Sequence, residues 1–302
     1  MPLNEFSTVL KAREFVRKAN PTAIPVPLDV YLTAAGATSR EVADMEEGEA
    51  GMCFTLPDGT CRICVNAKDA VERRRFTLCH EIAHIVLKLR SDHSTQPWTT
   101  GRPLVERLCD LFAVELLLPD TLFQPAAEHA PVSLAGVDAL AVQFGASVTA
   151  TGSRFADTVS APCAFVLSHE GRVVHVSRSK PLRDGNAFIA RQMELPERSA
   201  SARVRAGSTA DEHEIDAADW FTDWERGGVL QEEARHLSRW DRTLTLLRFQ
   251  GEDVPAATAR ARQEYRWEVE GRDDGSPREP EDEFGLRELD GNLRWPGKSR
   301  RR

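Results

Sequence analysis

The sequence lacks the long apolar runs that mark membrane spans and secretory signals. No stretch approaches the roughly 18 consecutive apolar residues that a transmembrane helix requires. The N-terminal segment, Met1 to Asn20, carries charges throughout and contains no apolar run of signal-peptide length. We therefore expect a protein that does not cross a membrane and that resides in the cytoplasm.

An excess of positive charge is also missing. Lys and Arg together number 39 against 47 Asp and Glu, which gives a formal net charge of −8 at pH 7. Proteins that coat nucleic acid neutralise its phosphates with clustered Lys and Arg, and this balance argues against that class. Direct nucleic-acid binding is therefore not expected, although a small basic patch or a basic protein substrate is compatible with the composition.

Cysteine is sparse, and the six cysteines do not form the dense pattern of a disulfide-stabilised secreted domain. Cys61 and Cys64 have C-x-x-C spacing, but the sequence contains no second pair that would complete a zinc ribbon. Both lie in a predicted strand, where residues three apart point to opposite faces. We expect reduced thiols, most of them buried.

Apolar residues are plentiful, at 41% of 302 residues, which is enough to bury the core of one large or two smaller domains. Periodicity and turn residues predict an α+β fold that is mainly helical in its first half. It includes a small hairpin around Pro57-Asp58-Gly59-Thr60 and a polar, acidic turn after the second helix. The first predicted helix ends near residue 20. Further helices are predicted at 28–35, 72–89, 104–118 and 132–158, the last with a break at 145–147, and a single turn of helix is predicted at 119–123.

The second half has a different character, that of a smaller α+β module. Strands are predicted at 163–167 and 173–176, whereas 229–237 and 244–249 are amphipathic without a clear type. After about residue 271 the chain is charged and poor in aliphatic residues, which predicts a disordered tail.

The segment His80-Glu81-Ile82-Ala83-His84 carries the strongest indication of chemistry. Residues four apart on a helix share a face, so two imidazoles can occupy adjacent corners of a zinc tetrahedron. Glu81 can then accept a proton from the water that attacks a peptide carbonyl. The alternative is two half-exposed histidines beside a surface glutamate. The apolar neighbours argue against it, because a buried helix needs partners for three polar groups.

A catalytic zinc also needs a third protein ligand and an open position. The next predicted helix offers Glu106, Asp110 and Glu115. Glu106 is the preferred ligand because Cys109 and Ala113 lie beside it, and these small residues permit close packing on the histidine helix. Asp110 shares the face of Glu106 and could orient a histidine N–H. Glu115 points elsewhere, as a solvated residue or a salt-bridge partner.

Other residues remain alternatives for the same site. Asp92 and His93, in a loop, are rival ligands, and Mn²⁺ is an alternative to Zn²⁺. No second donor to the oxyanion is identifiable, although His93 and His129 are candidates; the alternative is that both are surface histidines. An extended substrate segment could bind against the edge of the hairpin at 51–65.

At these residues the sequence resembles the ImmA/IrrE family of metallo-endopeptidases. The run from Arg73 to His84 is similar to the zinc-peptidase signature of that family. The segment from Glu106 to Pro119 is similar to its second signature, in which a glutamate is followed by Asn or Asp, by Phe-Ala and by Leu-Leu-x-Pro. The resemblance covers residues 50–120. Cys79 replaces a small residue beside the first histidine, and we hypothesise that it makes the site sensitive to oxidation.

The resemblance implies a gluzincin-like site in which His80, His84 and Glu106 bind zinc and Glu81 is the general base. It also implies a substrate, a helix-turn-helix repressor of the XRE type, whose cleavage derepresses stress, DNA-damage-response or mobile-element genes. Relatives carry a helix-turn-helix and a sensor-like domain after the peptidase core. The expected domains are a zincin-like peptidase at 1–125, a helix-turn-helix-like segment at 126–160, a C-terminal α+β domain, sensory or regulatory, at 161–270 and the tail at 271–302.

Two other functions stay open. A non-proteolytic regulator would use the metal only to fix its fold while it sequesters a repressor. Glu81 argues against this function, because a structural site needs no base. A DNA-binding regulator would use residues 132–158, where Gln143 and Arg154 are the main side chains able to read bases.

Overall fold

The computed structural model describes residues 3–45, 49–89, 103–208, 211–250 and 254. These residues divide into two compact units, the first within Met1–Pro131 and Ala135–Arg154 and the second within Val132–Leu134 and Phe155–Arg302. The α+β class expected from the sequence is confirmed: a helical core with a small sheet precedes a C-terminal sheet module. The expected tail at 271–302 lies outside the described residues, so the domain boundaries proposed from the sequence stay a prediction.

The helical core consists of seven helices in the described residues. Asn4 caps the first helix through a reciprocal pair of hydrogen bonds with Ser7, and Asn20 ends it in the left-handed conformation. The helices are α1 Glu5–Ala19, α2 Asp29–Ala35, α3 Val71–Leu87, α4 Leu104–Leu117, α5 Asp120–His129, α6 Leu134–Phe144 and α7 Val148–Thr158. The turn of helix expected at 119–123 is the start of the longer α5, which buries Phe123 and Ala127.

A three-stranded sheet accompanies these helices. It has the order β1-β3-β2, in which β1 is Ala37–Val42, β2 is Gly51–Thr55 and β3 is Cys61–Asn66. β2 and β3 form the expected antiparallel hairpin, and β1 pairs with β3 in parallel. The polar, acidic turn expected directly after α2 is displaced along the chain: β1 occupies 37–42, and the acidic residues Asp44 and Glu49 lie between β1 and β2. The central side chains of β1 are polar and exposed, so they show no apolar alternation, and backbone pairing to β3 defines the strand.

The helices α6 and α7 are joined by residues 145–147 and bent by 112°. Gly145 adopts a φ of 61°, which glycine tolerates at little cost. The bend falls in the range of helix-turn-helix motifs, but that role stays a prediction. No single helix in the described residues is long and apolar enough to cross a membrane, while this bent pair passes the same length and composition test when taken together.

A buried ion pair joins distant parts of the first unit. Glu115 on α4 accepts two hydrogen bonds from Arg154 at 2.8 and 3.0 Å and one from Arg13 at 3.2 Å. Asp120 lies 3.4 Å from the same Arg154 guanidinium. Of the two roles left open for Glu115, salt-bridge partner is therefore the one observed. Arg154 is only 9% exposed, so it is not available to read DNA bases.

Replacing Glu115 with alanine is expected to lower the free energy of unfolding of the first unit by about 3–5 kcal/mol. The reason is that Arg154 stays buried and loses both of its hydrogen bonds to Glu115, while Asp120 lies at the longer distance of 3.4 Å. Urea unfolding that is monitored by far-ultraviolet circular dichroism measures the change in the free energy of unfolding. Lys11→Ala, at an exposed residue of α1, is the control and should change stability by less than about 0.5 kcal/mol. A loss of under about 1 kcal/mol for Glu115→Ala would mean that the pair behaves like a surface salt bridge.

The second unit is built on a five-stranded antiparallel sheet with the order β5-β4-β8-β7-β6. The two segments of uncertain type at 229–237 and 244–249 are its strands β7 and β8. Its elements are β4 Cys163–His169, β5 Arg172–Arg178, α8 Lys180–Asp184, α9 Ala200–Arg205, β6 Asp211–Asp216, α10 Ala217–Trp220, β7 Val229–Leu237, a 3₁₀ turn Ser238–Trp240 and β8 Arg242–Phe249. The sequence of β6 is acidic and does not alternate between apolar and polar residues, so no strand was predicted there.

One face of this sheet carries an apolar core that includes Trp220, Phe221 and Leu247. Glu232, on β7, is fully buried, and its carboxylate accepts hydrogen bonds from the Ser201 backbone at 2.8 Å and from the Trp220 indole at 3.3 Å. A buried carboxylate that accepts several hydrogen bonds has the partners that burial requires, which is typical of a structural role. It fixes α9 to the sheet.

Candidate metal centre

The helix α3 places the two histidines inside the first unit. Ile82 and Ala83 have no exposed surface, and His80 and His84 are buried beside them. Burial on several sides follows from the apolar residues that surround the motif. The alternative of two half-exposed surface histidines therefore does not hold.

Cys79, which was hypothesised to make the site sensitive to oxidation, is inaccessible. Its side chain has no exposed surface, and burial raises the pKa of its thiol to about 12. Oxidants react with accessible thiolates. The structure therefore argues against Cys79 as an oxidation-sensitive residue.

The helix α4 brings Glu106 to the histidines. Cys109 and Ala113 are fully buried on the same helix, as expected for small residues at a close helix contact. His80 Nε2 lies 3.1 Å from Glu106 Oε2 and 3.1 Å from His84 Nε2, and His84 Nε2 lies 3.6 Å from Glu106 Oε1. The three side chains form the group of potential metal ligands found among the described residues.

The spacing of these donors fits a small divalent cation. A tetrahedron with ligand bonds of 2.0–2.1 Å has edges of about 3.3 Å, and the three donor separations are 3.1, 3.1 and 3.6 Å. Two imidazole nitrogens and one carboxylate are a donor set that zinc accepts while an open position remains. Their role as ligands stays a prediction, because geometry alone identifies no ion.

Hydrogen bonds on the far side of each imidazole set its orientation. His80 Nδ1 lies 2.9 Å from Asp110 Oδ1, the position expected for Asp110 from the sequence. His84 Nδ1 lies 3.2 Å from the carbonyl oxygen of Leu89, just beyond the end of α3. Lys88 takes a left-handed conformation with φ 55°, and this turn brings Leu89 back over the helix end. An Nδ1–H donated to each oxygen leaves Nε2 directed at the cluster.

The cluster also changes the proton affinities of its members. Burial by itself lowers the pKa of His80, but hydrogen bonds to Asp110 and Glu106 outweigh it and raise the pKa to about 9. Burial by itself raises the pKa of Glu106, but hydrogen bonds from His80 and His84 outweigh it and hold the pKa far below its ordinary range. Without a metal, His80 is therefore a cation at neutral pH and Glu106 an anion.

Metal binding is expected to compete with the proton on His80. The imidazole must be neutral to bind a cation, and its pKa of about 9 means that one proton leaves at neutral pH. The affinity for Zn²⁺ should rise about tenfold per pH unit below pH 9 and then level off. Titration calorimetry in buffers of different ionisation enthalpy measures the released proton. An affinity that stays constant between pH 6 and pH 8 would contradict the assignment of His80.

Glu81 lies next to this cluster but outside the group of ligands. Its side chain is 4% exposed, and its charge contributes to the raised pKa values of His80 and of Cys53 on β2. A side chain at Gly51 on the same strand would lie within 4 Å of Glu81 Cγ. The general base proposed from the sequence is thus buried between α3 and β2.

Of the other candidates, only His129 lies in the described residues, and it is not part of the cluster. His129 is exposed at the end of α5, and its Nδ1 lies 2.6 Å from the carbonyl of Pro125. Asp92 and His93 lie outside the described residues. Two groups were missed from the sequence, the Leu89 carbonyl and Gly51. A backbone carbonyl leaves no sequence pattern, and the glycine becomes informative only when the contact of β2 with α3 is known.

Comparisons with known proteins bear on the family and the fold. Residues 36–156 match the model of Peptidase_M78, described as the IrrE N-terminal-like domain. No curated protein matches the chain in sequence. Among solved structures, a Mycobacterium tuberculosis transcriptional regulator has a similar fold, with a TM-score of 0.52 and 13% identity over 80% of this chain and 75% of that chain. The low identity limits the last comparison to the fold.

Proposed function

We propose that the chain is a zinc-dependent endopeptidase that cleaves a helix-turn-helix repressor, and the match of residues 36–156 to the Peptidase_M78 model, the IrrE N-terminal-like domain, supports this. The observation that carries the proposal is the convergence of His80, His84 and Glu106, with Glu81 beside them. A metallopeptidase needs this combination, since three ligands hold the ion and a separate carboxylate moves a proton.

The residues divide the proposed work between them. A bound zinc ion would polarise the scissile carbonyl and lower the pKa of the attacking water. His80, His84 and Glu106 would hold the ion, and Asp110 and the Leu89 carbonyl would keep the imidazoles oriented. Glu81 would take the proton from the water and pass it to the leaving nitrogen, within a buried environment that strengthens its interactions.

The strand β2 offers a place for an extended substrate. It is an edge strand of the three-stranded sheet, and Gly51 at its start lies against Glu81. An edge strand presents unpaired backbone groups, to which an extended peptide can add as another strand. A repressor segment bound in this way would run past the general base.

The class of substrate rests on the family resemblance and is part of the proposal. A repressor of the XRE type, derepression of stress, DNA-damage-response or mobile-element genes and a cytoplasmic location all belong to it. Arg154 is held by Glu115 rather than exposed, which supports a protein as the partner instead of DNA. Mn²⁺ stays an alternative metal, because the donor set also accepts it.

One experiment tests this function. The zinc-loaded protein is incubated with the helix-turn-helix repressor encoded nearest to its gene, with EDTA and with Mn²⁺ in parallel. We expect one cut, which EDTA abolishes and added zinc restores. A repressor that stays intact but co-elutes with the protein would favour the sequestering regulator. A repressor that is neither cut nor bound would contradict the proposed substrate class.

A further inference from the structure

The strand β2 approaches α3 too closely for a side chain at residue 51. A Cβ added to Gly51 would lie 2.4 Å from Thr77 Cγ2, 3.0 Å from the Cys64 carbonyl oxygen and 3.8 Å from Glu81 Cγ. Ordinary van der Waals contacts of a Cβ begin at 3.4 Å. The methyl group of even an alanine would therefore overlap with Thr77.

Glycine is required at this position for space and not for backbone conformation. Gly51 is absent from the residues with positive φ, whereas Gly36 and Gly145 are among them. Gly51 is paired with Val65 in a regular antiparallel ladder. Alanine is compatible with such a backbone, so its effect would come from the contact with Thr77.

The strand has little freedom to move away from the helix. The backbone of Asn66 donates to the Ala50 carbonyl at 2.9 Å, and the side-chain amide of Asn66 donates to the Glu49 carbonyl at 3.0 Å. On the other side, Arg74 of α3 donates to the Ala67 carbonyl at 3.1 Å. Both partners of the contact are thus tied to β3 and the turn after it.

An added methyl group must therefore displace the side chain of Thr77. Thr77 is buried, and a β-branched side chain has few rotamers in a helix. Thr77 precedes Glu81 by four residues, so the two side chains lie one above the other on the face that meets β2. A displacement of Thr77 therefore also displaces the side chain of Glu81.

We propose that Gly51 is a positioning residue: by having no side chain it lets Glu81 reach the place from which it serves the metal centre. The inference rests on the proposed function and adds a residue of a different strand to it. Gly51 does not bind the metal in this role. It acts only through Thr77 and Glu81.

The test uses the full chain loaded with Co²⁺, whose visible spectrum changes with pH as the open coordination position titrates. The variants are Gly51→Ala, Thr77→Ser and the two combined, with Glu81→Gln as reference. Thr77→Ser removes the methyl group that the new Cβ meets. We expect Gly51→Ala to shift the pH midpoint in the direction of Glu81→Gln, and the double variant to recover most of that shift. Co²⁺ affinity should stay within about threefold, because no ligand is touched.

Cleavage of the repressor gives a second readout. Gly51→Ala should lower kcat by about 10- to 100-fold with little change in KM, because a displacement near 1 Å of a catalytic group has that cost. The double variant should recover at least half of this loss on a logarithmic scale. Thr77→Ser alone should stay close to the wild-type kcat, because it keeps the hydroxyl and removes only the methyl group; the loss in Gly51→Ala is then assigned to the overlap with that methyl group.

Two results would overturn the inference. One is a Gly51→Ala protein with the wild-type pH midpoint and kcat but a lower Tm, which would make Gly51 a packing residue only. The other is a double variant as impaired as Gly51→Ala, which would remove Thr77 from the explanation. Failure of the proposed function looks different, because the wild-type protein would then leave the repressor intact, or Glu81→Gln would cut it as fast as wild type. In that case the inference is tested by crystal structures of the zinc-loaded wild type and Gly51→Ala, in which the positions of the Glu81 carboxylate are compared.

Discussion

Replacing Glu81 with glutamine is expected to lower kcat on the repressor by about 10²- to 10⁴-fold while zinc affinity stays unchanged. Glutamine has nearly the same volume, so the contact of residue 81 with β2 is preserved. Its amide cannot accept the proton of the attacking water. Single-turnover cleavage with zinc content measured on the same samples separates the two effects.

A matched control for this change exists in the first unit. Glu128→Gln makes the same substitution at an exposed position on α5, and its kcat should equal that of wild type. A Glu81→Gln protein that cuts at the wild-type rate would remove Glu81 as the general base. A protein that loses its zinc would instead make Glu81 a ligand, which the present assignment excludes.

The second large effect is a loss of zinc affinity when one of the proposed metal ligands is replaced. His84→Ala or Glu106→Gln should lower zinc affinity by more than the 10- to 100-fold that is typical for loss of an outer partner. Asp110→Asn, at the residue that orients His80, should fall within that 10- to 100-fold range. Zinc at 100 times its Kd stabilises the folded protein by about 2.7 kcal/mol. The ligand variants should therefore lose most of the zinc-induced rise in Tm.

His129→Ala is the control for the histidine variants, because His129 is exposed on α5 and its Nδ1 lies 2.6 Å from the Pro125 carbonyl of the same helix. It should bind zinc as wild type does. Equal zinc affinity of His84→Ala and wild type would place the metal elsewhere. Equal losses for Asp110→Asn and Glu106→Gln would make Asp110 a direct ligand, which its contact with His80 Nδ1 argues against.

The parts of the site that depend on one helix were predictable. His80 and His84 are four residues apart, and the helical period alone puts both on one face. Glu106 required one further step, the comparison of helix faces on α4, where small residues mark the side that packs closely. Asp110 followed from the same face. Apolar residues around the motif then predicted burial of the whole cluster.

The parts that depend on contacts between distant segments were not predictable. β1 is polar and exists through its pairing with β3, so it has no pattern of its own. Arg154 resembled an exposed base-reading residue until its ion pair with Glu115 was known. Gly51 resembled an ordinary strand residue, although it is the point where β2 meets α3. In each case the information lies in the partner and not in the local sequence.

The central claim is that this chain hydrolyses a peptide bond with its metal centre and Glu81. The most direct measurement is mass spectrometry of the repressor after incubation with the zinc-loaded protein in H₂¹⁸O. The account predicts two fragments from a single cut, with one ¹⁸O in the new carboxyl terminus, and no fragments with Glu81→Gln. A repressor that remains intact with the wild-type protein, or fragments that appear equally with Glu81→Gln, would contradict it.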